Sequence, residues 1–184
     1  MLRQACRDLP SLGTRFVGVN VSAAQLRRVD FAKRYARIVR EEGIEIGQVT
    51  IEITETLALH DNETERRNLK ALRDLGCWLA IDDYGTGHAS ADYLDKFPFN
   101  ALKIDRTFVR ELGRSDAAFA AVADLCDLGR RRDVVIIAEG VETPEPLDLL
   151  RQAGAARVSR DFSSAGPRRS TPGPTRAGGI ATPV

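Results

Sequence analysis

Short aliphatic or β-branched runs alternate with amphipathic stretches of helical period along the first 154 residues, and this alternation is the strongest constraint on the fold. The runs are Arg15–Val21, Val49–Thr54, Cys77–Ile81, Ala101–Ile104 and Val134–Ala138. The clearest helical stretches between them are Phe31–Glu42, Asn68–Leu75 and Ala117–Leu128. Such alternation is typical of an α/β fold in which crossover helices cover a parallel sheet.

Every predicted strand has an ionisable or amide side chain at or near its carboxyl end. These residues are Asn20, Glu52 with Glu55, Asp82 with Asp83, Lys103 with Asp105, and Glu139. A (βα)8 barrel collects its chemistry at this face. An open doubly wound sheet usually shows a glycine-rich phosphate loop, and the sequence contains neither G-x-G-x-x-G nor a Walker motif. We therefore predict an incomplete (βα)8 TIM-type barrel, because five strands are too few to close one.

The carboxylates at these strand ends predict a cation site. Glu52 alternates with Ile51 and Ile53, so it faces away from them, and a carboxylate inside a barrel is costly unless it is paired or binds a cation. The adjacent acids Asp82 and Asp83 would add negative charge. Oxygen donors without His or Cys suit Mg²⁺ or Mn²⁺. The structural alternatives are an ion pair for Glu52 and a helix cap or Asx-turn for the two aspartates.

Lys103 is the one basic residue at a predicted strand end, and its alternation with apolar neighbours places it toward the interior. Beside bound metal it would hold or deprotonate the attacking water, or neutralise charge on a phosphoryl oxygen. The alternative is a lysine paired with Asp105 or Glu139.

Charge and composition exclude several classes of function. The formal net charge is +1, which does not favour a nucleic-acid polymer or an anionic membrane as partner. No apolar run approaches the roughly 20 residues of a membrane span, and the amino terminus is charged where a secretory signal is apolar. The three cysteines are far apart and suit a reducing compartment. We expect a cytoplasmic protein without a membrane segment.

Residues 155–184 differ sharply from the rest of the chain. They contain five Arg and one acid, Asp161, together with four of the eight prolines and four of the fifteen glycines. Helical and strand periodicity stops at about Gly154. We predict two regions, a barrel domain at 1–154 and a disordered Pro/Gly/Arg-rich tail at 155–184. A shifted reading frame would explain both the composition and the abrupt break, whereas an evolved linker would explain only the composition.

Five strings in this order resemble the EAL domain family of bacterial cyclic di-GMP phosphodiesterases. They are VNVS at 19–22, EITE at 52–55, DDYGTG at 82–87, LKID at 102–105 and AEGVE at 138–142. The resemblance covers residues 1–154 and implies hydrolysis of cyclic di-GMP to linear pGpG at a two-metal Mg²⁺ or Mn²⁺ site.

The resemblance also implies roles for individual residues. Asn20, Glu52 and Asp82 match ligands of the first metal, and Asp82 also matches the family's bridging carboxylate, with Asp83 at the position of a ligand of the second metal. Lys103 matches the lysine that contacts the nucleophilic water, and Glu139 matches the essential glutamate near the second metal. Three further acids are expected to shape the site and its loops: Glu55, Asp105 and Glu142.

The sequence departs from the family pattern at both ends. The Glu-Ala-Leu string is absent, and with it a metal-ligand glutamate and a substrate-binding arginine. The family's last strand, with its Gln-Gly, is replaced by Arg157-Val158-Ser159-Arg160. We therefore expect a barrel that lacks its first strand or strands and its last strand, with unpaired edges and weak activity. A non-catalytic module for cyclic di-GMP binding or protein interaction, and a nonfunctional fragment, are the alternatives.

The resemblance implies partners as well as a substrate. In the family, the loop after Asp83 is linked to dimerisation, so a homodimer through that loop is expected. A sensory or GGDEF domain in the parent protein is left open by this sequence.

Overall fold

The computed structural model describes residues 1–12, 16–58, 62–84, 98–141, 144–155, 157–159 and 181–183. The predicted site residue Glu142, the loop after Asp83 at 85–97 and most of the predicted tail lie outside the described residues. None of the helices in the described part of the chain has the length and apolar character needed to cross a bilayer.

Strands and helices alternate along the chain. The strands are β1 (Val17–Asn20), β2 (Val49–Thr54), β3 (Trp78–Tyr84), β4 (Ala101–Ile104), β5 (Val135–Ala138), β6 (Arg157–Ser159) and β7 (Ala181–Pro183). The helices are α1 (Leu2–Asp8), α2 (Ala23–Leu26), α3 (Phe31–Glu41), α4 (Glu55–Ala58), α5 (Glu63–Asp74), α6 (Arg106–Glu111), α7 (Asp116–Arg132) and α8 (Pro144–Ala153). Short 3₁₀ turns lie at Leu9–Ser11 and Ile46–Gln48.

The strands form one sheet in the order β1-β2-β3-β4-β5-β6-β7. All pairs from β1 to β6 are parallel, and only β7 runs antiparallel, against β6. Sequential parallel order with helical crossovers is the arrangement of a βα barrel. Within the described residues, β1 and β7 each pair on one side only, so the barrel is incomplete.

The core lies between the outer face of the sheet and the helices. Val49, Ile51 and Ile53 of β2 are buried, and they alternate with Thr50, Glu52 and Thr54, which are more exposed. This period of two sends the apolar set toward the helical layer and leaves Glu52 on the opposite face. All four residues of β4 are buried, Lys103 among them.

Helix ends follow the local sequence signals. The Ser115 hydroxyl accepts a hydrogen bond from the Ala118 N–H at 3.3 Å, as expected of the cap of α7. Gly43, Gly76 and Gly154 have φ angles of 71°, 89° and 87°, and these left-handed conformations stop the preceding helices. Asp30 precedes α3 without a side-chain cap hydrogen bond.

The predicted strands agree closely with those observed, and β2 and β4 have the predicted bounds. The sequence predicted an unpaired edge at β5, whereas in the structure β6 pairs with β5 through Ile137–Arg157 and Ala138–Val158. After α8 ends, the three-residue strand β6 lies parallel to β5. The short strands β6 and β7 lie within the region 155–184, for which the sequence predicts disorder, and disorder of the rest of that region stays a prediction.

Candidate active site

The side chain of Lys103 lies among three carboxylates at the carboxyl ends of the strands. Its Nζ atom is 3.1 Å from Glu52 Oε2, 3.0 Å from Asp82 Oδ1 and 2.9 Å from Glu139 Oε1. The exposed fraction is 11% for the Lys103 side chain, 15% and 16% for Glu52 and Asp82, and 38% for Glu139. One ammonium group thus meets three carboxylates in a largely desolvated place.

Strand register brings these groups together from four neighbouring strands. Thr54 on β2 pairs with Asp82 on β3, so Glu52 lies two residues before that level, on the same face. Lys103 on β4 pairs with Ile137 on β5, and Glu139 follows β5 directly, with its N–H donating to the Ile104 carbonyl at 3.4 Å. The parallel strands deliver all four side chains to one edge, as predicted from the sequence.

The charges at this edge do not balance. Burial would lower the pKa of Lys103, but Glu52, Glu139 and Asp82 outweigh it and hold that pKa above its ordinary value. Burial raises the pKa of Glu52, and the nearby Asp82 and Glu139 add to this increase despite the attraction of Lys103. Lys103 is therefore firmly protonated, and the cluster still holds excess negative charge that a further cation would relieve.

The end of β3 is irregular where the two adjacent aspartates lie. The pairing of β3 with β4 shifts register between Ile81 and Tyr84, and Asp83 has a φ of 56°. Its N–H donates to Asp82 Oδ1 at 3.1 Å. Burial, together with the charges of Asp82 and Asp105, raises the pKa of Asp83, so its carboxyl group belongs to the same electrostatic cluster. The irregularity breaks the strict alternation that would send consecutive side chains to opposite faces.

The other predicted site residues have separate positions. Asn20 is exposed at the end of β1, in register with Glu52. Glu55 is buried at the start of α4. Asp105 caps α6 by accepting a hydrogen bond from the Thr107 N–H at 2.8 Å. Burial alone would raise the pKa of Asp105, but hydrogen bonds from Thr107 and Arg106 outweigh it and lower that pKa. The structure therefore groups Glu52, Asp82, Lys103 and Glu139, with Asp83 beside them.

The alternatives to a cation site are also visible. The ion pairs weighed for Glu52 and for Lys103 with Glu139 are present. Among the described residues, no three Asp, Glu, His or Cys side chains are arranged as a metal-binding group. The carboxylates instead converge on the Lys103 ammonium.

Sequence reasoning passed over Gly18, which lies on β1 beside the Glu52 carboxylate. A Cβ atom built on Gly18 would lie 2.7 Å from Glu52 Cδ, which is closer than real contacts allow. The available signal was a glycine inside the β-branched run Val17-Gly18-Val19, since such a glycine often marks a close approach.

A partial parallel βα barrel with a carboxylate–lysine cluster at the carboxyl ends of its strands defines the class of this protein. Comparison with known proteins gives the family. The family model described as "EAL domain" matches residues 1–159, and the chain belongs to the EAL domain family. This confirms the family resemblance and the fold predicted from the sequence.

Individual relatives support the same assignment. Cyclic di-GMP phosphodiesterase NbdA of Pseudomonas aeruginosa is 33% identical over 157 residues, covering 83% of this chain and 20% of NbdA. The PaMucR phosphodiesterase, solved as a c-di-GMP complex, is 33% identical with a TM-score of 0.75, covering 84% of this chain and 64% of that chain. Klebsiella pneumoniae BlrP1, solved as a manganese/cy-diGMP complex, is 29% identical with a TM-score of 0.77, covering 83% of this chain and 40% of that chain. The chain spans about a fifth of the length of the first curated relatives it matches.

Proposed function

We propose that this chain forms part of the active face of a divalent-metal-dependent phosphodiesterase that hydrolyses cyclic di-GMP to linear pGpG. The observation that carries the proposal is the convergence of Glu52, Asp82 and Glu139 on a single cationic group at the carboxyl edge of the sheet. Membership of the EAL domain family and the ligands named for PaMucR and BlrP1 support the choice of metal and substrate.

The donor chemistry fits a hard divalent cation. Asn20, Glu52, Asp82 and Asp83 offer amide and carboxylate oxygens, which suit Mg²⁺ or Mn²⁺. Excess negative charge around Lys103 supports the same fit, since three carboxylates pair with this one ammonium group among the described residues. When bound, the metal would lower the pKa of a coordinated water and stabilise charge on the phosphate.

Lys103 is proposed to orient the attacking water rather than to deprotonate it. Its pKa is raised, so the ammonium form dominates at neutral pH and only donates hydrogen bonds. Such a donor holds a water oxygen or stabilises a phosphoryl oxygen in the transition state. Of the roles considered for this lysine, the surrounding carboxylates support holding the water and neutralising phosphoryl charge over deprotonation.

Glu139 has the most exposed of the three carboxylates that pair with Lys103 and is proposed to face the substrate side of the site. Its side chain is 38% exposed, more than twice the fraction for Glu52 or Asp82. A carboxylate in this position would accept a hydrogen bond from the attacking water and help to align it. Glu55, Asp105 and Glu142 are proposed as acids that shape the surrounding loops.

Several finer assignments follow from the sequence and from the family together. We infer use of Mg²⁺ or Mn²⁺, a cytoplasmic location, a homodimer through the loop after Asp83, and a sensory or GGDEF domain in the parent protein. The absence of the Glu-Ala-Leu string favours weak hydrolysis by this chain. It also keeps a non-catalytic cyclic di-GMP-binding module as the second candidate function.

Titration with Mn²⁺ tests the metal site directly. Asp82→Ala should weaken Mn²⁺ binding at least about 10- to 100-fold, the effect of losing even an outer-shell group in comparable sites. Asp148→Ala is the matched control, because Asp148 is an exposed acid on α8 that pairs with Arg151. Isothermal titration calorimetry should separate the two variants. Equal Mn²⁺ affinity in the wild type and both variants would contradict the site.

Substrate assays then distinguish the two candidate functions. The chain is incubated with cyclic di-GMP and Mn²⁺, and linear pGpG is followed by chromatography while binding is measured separately. Slow pGpG formation that disappears in Asp82→Ala supports the phosphodiesterase. Binding without pGpG formation supports the non-catalytic module. Neither binding nor hydrolysis would contradict both functions for this chain.

A further inference from the structure

The residue at position 18 controls where the Glu52 carboxylate can lie. Gly18 is on β1 in register with Thr50, and Asn20 is in register with Glu52. The Glu52 side chain therefore reaches diagonally back across β1, toward the residue two places before its own partner. A built Cβ on Gly18 would lie 2.7 Å from Glu52 Cδ and 3.1 Å from Oε2, and closer still to Oε1.

This close approach is a property of the site rather than of the strand. The three atoms nearest to that Cβ all belong to the end of the Glu52 side chain, so we expect a side chain at position 18 to displace that carboxylate rather than the backbone pairing. Glu52 Oε2 is 3.1 Å from Lys103 Nζ, and Asp82 approaches the same ammonium group. A displaced Glu52 would lose its contact with Lys103 or move toward Asp82.

We propose that Gly18 is a positioning residue for Glu52, and that its missing side chain provides the space in which this carboxylate meets Lys103 and a divalent cation. The part that concerns the cation rests on the proposed function, whereas the part that concerns Lys103 does not. Glycine within a strand ordinarily lowers stability because it has no side chain to pack and has high backbone entropy. At this position the space beside Glu52 compensates for that disadvantage.

A double-mutant cycle in metal-free buffer tests the positioning role without any activity measurement. Gly18→Ala should lower the melting temperature in the wild-type background, because the new Cβ displaces Glu52 from Lys103. In a Glu52→Ala background, the same substitution should raise the melting temperature, since the obstructing carboxylate is gone and alanine gives the unfolded chain less conformational entropy to lose on folding than glycine does. This reversal of sign is the expected result.

Gly47→Ala is the matched control. A Cβ on Gly47 would lie 3.6 Å from the Gly76 carbonyl oxygen, which is an ordinary van der Waals distance. Its effect on the melting temperature should be the same in both backgrounds. A Gly18→Ala effect of the same sign in both backgrounds would overturn the proposal, because it would show a property of the strand alone.

Mn²⁺ titration of the same variants addresses the cation. Gly18→Ala should weaken Mn²⁺ binding about 10-fold or more in the wild-type background and have no further effect in Glu52→Ala. An equal loss of affinity in both backgrounds would contradict the positioning role. If the wild type binds no Mn²⁺ while the melting temperatures reverse sign, the proposed function fails and the contact with Lys103 stands.

Discussion

Replacing Lys103 with methionine should reveal how much the carboxylate cluster depends on its single ammonium group. Lys103→Met keeps an unbranched side chain of similar length but leaves Glu52, Asp82 and Glu139 without that partner. Removing one partner of a buried ion pair costs about 3–5 kcal/mol, whereas an exposed pair contributes about 1 kcal/mol or less. Because Glu139 is more than one-third exposed, the loss should lie near the lower limit, at about 3 kcal/mol near pH 7.

The pH dependence of this loss follows from Glu52. Its pKa is raised in the folded protein by burial, and Lys103 acts against that increase. Without Lys103, the pKa of Glu52 in the folded protein rises further above its value in the unfolded chain. The variant therefore loses more stability than the wild type as pH rises from the unfolded toward the folded pKa of Glu52. Lys103 itself has a raised pKa and stays protonated throughout, since its contribution is lost only above the unfolded lysine pKa. The stability deficit should therefore shrink from about pH 7 to about pH 5.

Urea denaturation followed by circular dichroism measures the deficit, with a chelator present to remove divalent cations. A second series with Mn²⁺ should recover part of the loss, because binding to the folded state stabilises it. Lys70→Met is the control, since Lys70 pairs with Asp74 at 2.9 Å on the exposed face of α5, and it should cost about 0.5 kcal/mol or less. A Lys103→Met deficit as small as that of the control, or one that grows toward acidic pH, would refute the reasoning.

Further substitutions test other parts of the structure. Asp83→Gly should stabilise the protein by about 1 kcal/mol, because it relieves a left-handed backbone at φ 56°. The same change should weaken Mn²⁺ binding because it removes a carboxylate, and unchanged Mn²⁺ affinity would exclude Asp83 from the site. Asp133→Gly, at φ 54° after α7, should give a similar gain by urea denaturation with unchanged Mn²⁺ affinity. Tyr35→Phe should cost about 1 kcal/mol, because the buried hydroxyl donates to the Val49 carbonyl at 3.1 Å; a neutral effect would show that this hydrogen bond does not contribute. In a form of the domain that forms pGpG, Lys103→Ala should lower kcat much more than it raises KM, and full turnover would remove the assigned role.

The sequence predicted the fold well because the two patterns that indicate it, apolar periodicity within strands and polar residues at strand ends, are both local. The period of two in VTIEIT and the apolar ALKI run gave β2 and β4 with their observed bounds. The spacing of strand ends then placed Glu52, Asp82, Lys103 and Glu139 at one edge of a parallel sheet. Fold class and approximate site location follow from these patterns without knowledge of packing.

Contacts between strands were less predictable. β3 continues to Tyr84, beyond the predicted end at Ile81, because pairing with β4 resumes after an irregularity that holds the two aspartates. Two adjacent acids and a following glycine locally favour a loop, and only the neighbouring strand overrides this preference. The role of Gly18 was hidden for the same reason, since its contact with Glu52 depends on strand register rather than on nearby sequence.

The composition of the cluster argues against a purely structural role. A buried ion pair gives weak support to stability, and replacing such groups with apolar residues of similar size is often neutral or stabilising. Here Lys103 pairs with three carboxylates, and burial raises the pKa of Glu52 despite that lysine, so Lys103 only partly offsets the cost of ionising Glu52 at this place. A sheet selected for stability alone would gain by placing apolar side chains on this face, as it does on the face that packs against the helices. The excess of carboxylates is therefore better explained by a ligand that brings positive charge, and a divalent cation supplies that charge in the smallest volume.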